Sequence, residues 1–307
     1  MTQWIKDYQS ACPEATISYS GGGSGQGITD FTSKQVDFAG SDAALDASKG
    51  EVAKAAAACA SPAIDLPMVT GPIAIGYNIK GVSDLTLTPE LTAKIFTGKI
   101  TTWNDPAIAA ANTGVSLPSI KITVFNRSDQ SGTTQNFERY LAASAPGVWT
   151  SKPSKQWAGI GQGKKGNQLV GQAVQSTDGS IAYVEWAYAI QNNLAQAKID
   201  NGAGPVELTA DSVGKTIATA KVAPNGPGDL TLELDYATKE QGAYPIVLVT
   251  YEIVCSKYAD ARTGALVKSF MSYLASPEAQ QSVHNLGYAA LPDSVQRQVQ
   301  AEIAKIS

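Results

Sequence analysis

Residues 15–32 read ATISYSGGGSGQGITDFT. Ala15–Tyr19 alternates as a strand does, Ser20–Gly27 is a glycine-rich loop, and Gly27–Thr32 opens a helix, so the segment predicts strand, tight loop and helix in succession. The same alternation continues in both directions and predicts an α/β architecture. Residues 3–11 form a helix ahead of it. Val36–Ala39 (VDFA) reads as a short strand, the alanine-rich stretch 47–59 as a helix, and Asp65–Tyr77 (DLPMVTGPIAIGY) as one or two buried strands. Thr88–Phe96 is helical, Ile120–Phe125 a strand and Thr134–Ala142 a helix. Ser180–Val184 and Pro245–Ile253 give further strands, and helices over 260–275 and 292–306 close the chain. Residues 200–243 are rich in Gly, Pro and Asp without periodicity, which predicts long loops with short strands and little chemistry.

The chain has 307 residues, 43% hydrophobic and 16% charged, with a net charge of −4. That length and composition predict a compact fold of about two domains rather than a disordered chain. An acidic balance argues against coating nucleic acid, yet a few aimed donors suffice for a small anion. Tyr244–Cys255 (YPIVLVTYEIVC) is too short for a membrane span, carries Glu252 and reads as a buried strand. MTQWIKDYQSAC at the N-terminus has neither the basic nor the apolar region of a signal peptide. The expectation is either a cytoplasmic protein or an export segment already removed. Cys12 and Cys59 both fall in proline-containing loops, which leaves a disulfide between them open and leans toward the second reading. Cys255, inside a strand, reads as a buried thiol. Three scattered cysteines and the single His284, expected at a surface or interface, offer no metal-site spacing, and no cofactor is expected.

Three segments carry candidate chemistry. Ser20–Gly27 (SGGGSGQG) places amides and Ser24 at a helix N-terminus, a geometry suited to an oxyanion, or else is a flexible turn. It fits neither nucleotide-loop pattern. Arg127–Thr134 (RSDQSGTT) combines an arginine fork with hydroxyls and a glycine at the head of another helix; the plain alternative is Ser131 or Thr133 as an N-cap beside a solvated Arg127. Ser41-Asp42 follows the VDFA strand. An aspartate beside an anion makes sense only if the anion brings a proton; otherwise it is a helix cap. A Ser-His-Asp hydrolase finds no support, since Gln26 stands where a nucleophile elbow needs glycine.

Taken in order, YSGGGSGQGITDF (19–31), VDFAGSDAAL (36–45), LTAKIFTGKITTWNDPAI (91–108), NRSDQSGTTQNF (126–137), GSIAYVEWAYA (179–189), AYPIVLVTY (243–251) and GYAALP (287–292) resemble the phosphate-binding proteins of bacterial ABC importers. The resemblance runs along nearly the whole chain. It implies a two-lobed periplasmic-binding-protein fold with two crossing hinge strands, a ligand cleft between the lobes and hinge closure on binding. Lobe one would comprise 1–76 and 247–307, lobe two 77–246. The ligand would be held by Ser24, Asp42, Arg127, Ser131, Gly132 and Thr133, with Asp129 positioning the arginine and Gly25 supporting the loop. Inorganic phosphate and the membrane permease subunits of the importer are the implied partners, with no chemical turnover, an extracytoplasmic location and a monomeric state. Family members begin with a strand and a Gly-x-Gly-x-Thr/Ser-Phe loop that adds phosphate contacts. Those contacts have no counterpart here, so weaker binding and a less stable first lobe are expected. Another oxyanion such as sulfate, or a phosphate-ester hydrolase, are the alternatives; Asp42 argues against sulfate, which has no proton to give it.

Overall fold

A computed structural model describes residues 1–283 and 286–307; the expectation for His284 lies outside the described residues. The first part contains α1 (Thr2–Ala11), α2 (Ser24–Thr32), β1 (Ala39–Ser41), α3 (Glu51–Cys59) and the long strand β2 (Ala63–Asn78). The short β3 (Thr86–Leu87) is followed by α4 (Pro89–Phe96), α5 (Pro106–Ala111), β4 (Thr123–Arg127) and α6 (Gly132–Ser144). Then come β5 (Gln162–Lys164), α7 (Gly166–Ser176), β6 (Ser180–Glu185) and α8 (Trp186–Gln191). Small strands β7 (Ala195–Gln196), β8 (Lys198–Asp200) and β9 (Pro205–Val206) lead to α9 (Ala210–Ala218) and the pair β10 (Lys221–Val222) and β11 (Leu232–Glu233). The chain finishes with β12 (Val247–Cys255), α10 (Ala261–Leu274), α11 (Pro277–Ser282) and α12 (Asp293–Ile303).

The apolar run over 65–77 is one continuous strand rather than two. All of β2 except its end residues is buried, as expected of a strand covered on both faces. Its first half pairs antiparallel with β12, from Ala63↔Cys255 to Pro72↔Val247. Its second half, Ile73–Asn78, pairs antiparallel with β6. The main sheet therefore runs β1-β12-β2-β6-β4-β5, and β2 changes partner between Pro72 and Ile73. Gly71 lies within that stretch because a Cβ there would meet Leu248 Cδ1 at 2.7 Å. β4 and β6 are parallel neighbours, so their C-terminal ends emerge at the same edge. Behind that edge, Phe96, Phe137, Trp157 and Tyr183 stack together, with the Phe137 and Tyr183 rings 4.7 Å apart. Burying each of these large rings contributes about 1.5–3 kcal/mol and fixes α6 against the sheet.

Several sequence expectations are corrected. Ala15–Tyr19 keeps its alternating burial at the start but forms no strand, because alternation does not supply a ladder partner. The strand expected at 36–39 lies at Ala39–Ser41, where its register on Tyr251–Ile253 of β12 places it. Within 200–243, the helix α9 forms on a reciprocal cap between Thr209 and Ser212. The loop between β10 and β11 reaches back to the main sheet, where Leu230 N–H donates to the Asp65 carbonyl at 3.1 Å and Asp229 Oδ1 accepts Asp65 N–H at 2.9 Å. The disulfide joins Cys59 to Cys255, and Cys12 is the free thiol. The register of β12 on β2 explains this: it sets Cys255 opposite Ala63, beside the end of α3.

Candidate functional site

The N-termini of α2 and α6 meet head to head. Ser24, the first residue of α2, is buried, and its Oγ accepts the backbone N–H groups of Asp42 and of Gly132, each at 3.1 Å. One residue on, Gly25 N–H donates to the Gln130 carbonyl at 3.0 Å. Such closeness demands glycine: a Cβ on Gly132 would lie 2.6 Å from Ser24 Oγ and 2.7 Å from Asp42 Cβ. Gly23 has φ +82°, and a Cβ there would meet Asp129 Oδ2. Two helix N-termini carry partial positive charge into one small volume, which favours an anion.

Arg127 ends β4 and is 5% exposed. Its Nε and Nη2 donate to the two oxygens of Asp129 at 2.8 and 2.5 Å, and Nη1 reaches Thr133 Oγ1 at 3.4 Å. Asp129 also accepts Gly166 N–H at 3.0 Å. Burial works to raise the Asp129 carboxyl, but the guanidinium and this N–H outweigh it and hold it below the usual range. Asp129 thus holds the fork in place at the wall of the cleft, with Nη1 on the side of Thr133. Ser131 is fully buried and caps α6, accepting Thr134 N–H at 3.2 Å. The cap reading and the ligand reading coexist there, since the hydroxyl proton remains to donate elsewhere.

Asp42 does not cap a helix. Its Oδ1 accepts from the Thr250 hydroxyl at 2.9 Å and its Oδ2 lies 3.4 Å from Thr133 Oγ1. Burial raises its carboxyl, against the pull of Thr250, Arg127 and Thr133. Asn136 fixes the turn by donating to the Asp42 carbonyl at 2.6 Å and to that of Gly132 at 2.8 Å. Ser24, Asp42, Arg127 and Asp129 line a cleft of about 810 Å³ whose walls also include Glu185 and Glu252, while Gly25, Ser131, Gly132 and Thr133 lie behind that wall, in hydrogen bonds or close packing with these residues and their neighbours.

Sequence reasoning missed Glu185. It ends β6, 8% exposed, and accepts from Thr133 Oγ1 at 3.2 Å, Asn167 Nδ2 at 2.5 Å and the Tyr288 hydroxyl at 3.3 Å. Burial and then Asp42 push its carboxyl up to about 7, with Arg127 opposing. The available signal was an acid closing the otherwise uncharged strand SIAYV, which the parallel pairing puts at the same edge as Arg127. Thr250, within a strand read only as core, was missed as well.

The assembly offers hydroxyl, amide and guanidinium donors beside two carboxylate acceptors. It fits a small tetrahedral oxyanion that carries a proton. Among the described residues no cluster of His, Cys, Asp and Glu is arranged to hold a metal ion, and no helix is long and apolar enough to cross a membrane.

Residues 1–278 match the model of the PBP superfamily domain. The phosphate-binding protein PstS2 of Mycobacterium bovis is 47% identical over 312 residues, covering 100% of this chain and 84% of its own. The phosphate-binding protein PstS of Xylella fastidiosa is 35% identical, covering 98% and 80%. Among solved structures, a high-affinity periplasmic phosphate-binding protein (PfluDING) with phosphate bound superposes with a TM-score of 0.76 at 23% identity, over 94% of this chain and 87% of that one. A putative phosphate ABC transporter substrate-binding protein from Clostridium perfringens superposes with a TM-score of 0.65 at 18% identity, over 95% and 94%.

Proposed function

The chain belongs to the PBP superfamily and, within it, to the family of bacterial phosphate-binding proteins, and on that premise we propose that it captures one inorganic phosphate in its cleft and delivers it to an ABC importer without chemical change. The observation that carries the reading is the meeting of two helix N-termini at Ser24 and Gly132, flanked by the anchored Arg127 fork and the Asp42 carboxylate. On capture, Ser24, Ser131, Thr133 and Arg127 donate to phosphate oxygens, the Gly132 amide exchanges its bond to Ser24 Oγ for one to the anion, and Asp42 accepts the phosphate's own proton. Asp129 holds the fork in its plane, so that positioning costs nothing at the moment of binding.

The lobes are assigned as 1–76 with 247–307 and 77–246. Support comes from β2, which exchanges β12 for β6 at Pro72 and Ile73, a few residues ahead of that boundary. Ser24 and Asp42 then face Arg127, Ser131 and Thr133 across the cleft, and closure completes the site. The protein works as a monomer on the outer side of the cell membrane and docks on the importer's permease subunits.

Calorimetry with phosphate and with sulfate tests this. The chain binds phosphate and far more weakly sulfate, and Arg127→Ala loses about 3 kcal/mol or more, the scale of charge-assisted bonds inside a closed site. Equal affinity for the two anions, or an unaffected Arg127→Ala, overturns the reading. Turnover of a phosphate ester that depends on Arg127 would favour a hydrolase instead.

A further inference from the structure

We propose that Glu185 is a positioning residue that ties phosphate capture to the uptake of one proton from solvent, acting through the hydroxyl of Thr133. The inference rests on the phosphate reading and deepens it.

Thr133 Oγ1 lies 3.2 Å from Glu185 Oε1, 3.4 Å from Asp42 Oδ2 and 3.4 Å from Arg127 Nη1. A hydroxyl has one proton to give, and the guanidinium can only donate to it. The proton therefore goes to one of the two carboxylates, and Glu185 is the nearer. While Glu185 is ionised, the donors from Thr133, Asn167 and Tyr288 converge on it. Thr133 then turns its lone pairs away from that bond, toward Arg127 Nη1, and has no proton left to give an anion beside that fork. Arg127 and Asp129 offset each other, so ionised Asp42 and Glu185 add two negative charges to a cleft whose wall also carries the buried Glu252.

A proton on Glu185 resolves both conflicts. It takes the Oε2 position, facing the Tyr288 oxygen, while Oε1 continues to accept from Asn167. One negative charge disappears, and the Thr133 proton is released toward the phosphate. The surroundings favour that state. Facing Glu185 are Arg127 from β4, Asp42 from the turn after β1, Thr133 from α6, Asn167 from α7, Tyr188 from α8 and Tyr288 from the C-terminal segment. Tyr19 and the Met1 amino group act at longer range. Burial and Asp42 already push the carboxyl up to about 7 without an anion, and a phosphate beside it pushes in the same direction.

The test is calorimetry of the full chain with inorganic phosphate, in buffers of different ionisation heat, at about pH 8.5, where free phosphate is the dianion. Wild type is expected to take up about one proton more per phosphate than Glu185→Gln. From about pH 7 to 9 its affinity falls more steeply than the variant's, approaching an extra tenfold per pH unit. A Glu185 that only props up the fold would weaken both ends of that profile equally. Equal proton uptake and parallel profiles overturn the proposal. Should Glu185→Gln not fold, carbon-13 titration of the Glu185 carboxyl in wild type decides instead: phosphate must raise its midpoint, and an unmoved midpoint overturns the proposal. Wild type that gives no heat with phosphate at any pH overturns the phosphate reading itself, and with it this inference.

Discussion

Lys155 Nζ lies 2.8 and 3.0 Å from the two carboxylate oxygens of Glu51, joining the segment after α6 to the first residue of α3. The same lysine's carbonyl accepts Ser131 N–H at 2.8 Å, at the cap of α6. An ion pair thus leads from the N-terminus of α6, where Ser131, Gly132 and Thr133 sit, to the N-terminus of α3, which the proposed division assigns to the other lobe. Lys155 is 5% exposed, so removing it strands a partly buried carboxylate, at about 1–3 kcal/mol. Lys155→Met and Glu51→Gln are each expected to lower phosphate affinity about tenfold, through faster release, with the double variant little worse than either. Stopped-flow dissociation measures this; wild-type release rates in both single variants would remove the pair from the closing mechanism.

Asp42 is expected to make the site selective by demanding a proton. Phosphate near neutrality carries one or two, and sulfate none. In a closed cleft the carboxylate would face a sulfate oxygen with no hydrogen between them. An unmade buried bond costs about 1–3 kcal/mol, and a site built around one can discriminate by about 10⁴-fold. Asp42→Asn, able to donate as well as accept, is expected to lose much of the phosphate-over-sulfate ratio in competition binding. An unchanged ratio would place the selection elsewhere.

Stability without ligand is expected to fall as pH rises from about 5 to 8. Burial pushes Glu138 and Glu185 up to about 7 and Glu252 up to about 8. The folded chain therefore keeps protons that the unfolded chain has released, and unfolding gains as pH climbs through that window. Asp129, held low by Arg127, acts with the opposite sign and only in more acid solution. Calorimetric melting in phosphate-free buffers should give a midpoint several degrees lower at about pH 8 than at about pH 5. A midpoint that rises over that interval contradicts the assignment.

The bond between Cys59 and Cys255 closes a loop with a sequence separation of 196. Losing it through Cys59→Ser with Cys255→Ser should cost about 3–5 kcal/mol, read as a lower denaturant midpoint. A maleimide added to the unreduced protein after denaturation should label Cys12 alone. Labelling at Cys59 or Cys255 would refute the pairing.

Much of the site was legible because oxyanion recognition uses a small vocabulary of residues at helix N-termini. Ser24, Asp42 and Arg127–Thr133 could each be proposed from local sequence. Glu185 could not, because its meaning comes from Thr133, 52 positions away, and from a parallel register that no local pattern encodes. The apolar run of β2 announced a buried strand, but not that one strand serves two sets of partners. Alternation at Ala15–Tyr19 misled for the same reason: pairing belongs to the sheet, not to the strand. Cysteine pairing was out of reach until β12 lay on β2, since only that register sets Cys255 beside α3.

The position of β12 in the chain has a consequence for biosynthesis. Among the described residues β1 pairs with β12 alone, and apart from a bridge from Thr70 to Ala289 the first half of β2 pairs with β12 alone. A chain growing from its N-terminus can pair β2 with β6, and β6 with β4, while β1 and the front of β2 still wait. Cys12 and Cys59 are both made long before Cys255. Where oxidation accompanies synthesis, the first couple on offer is Cys12 with Cys59, which the native fold does not keep. Attack by the Cys255 thiolate on Cys59, expelling Cys12 as a free thiol, is the exchange that corrects it. A thiol absent from the native bond would then serve as the leaving group on the way to it.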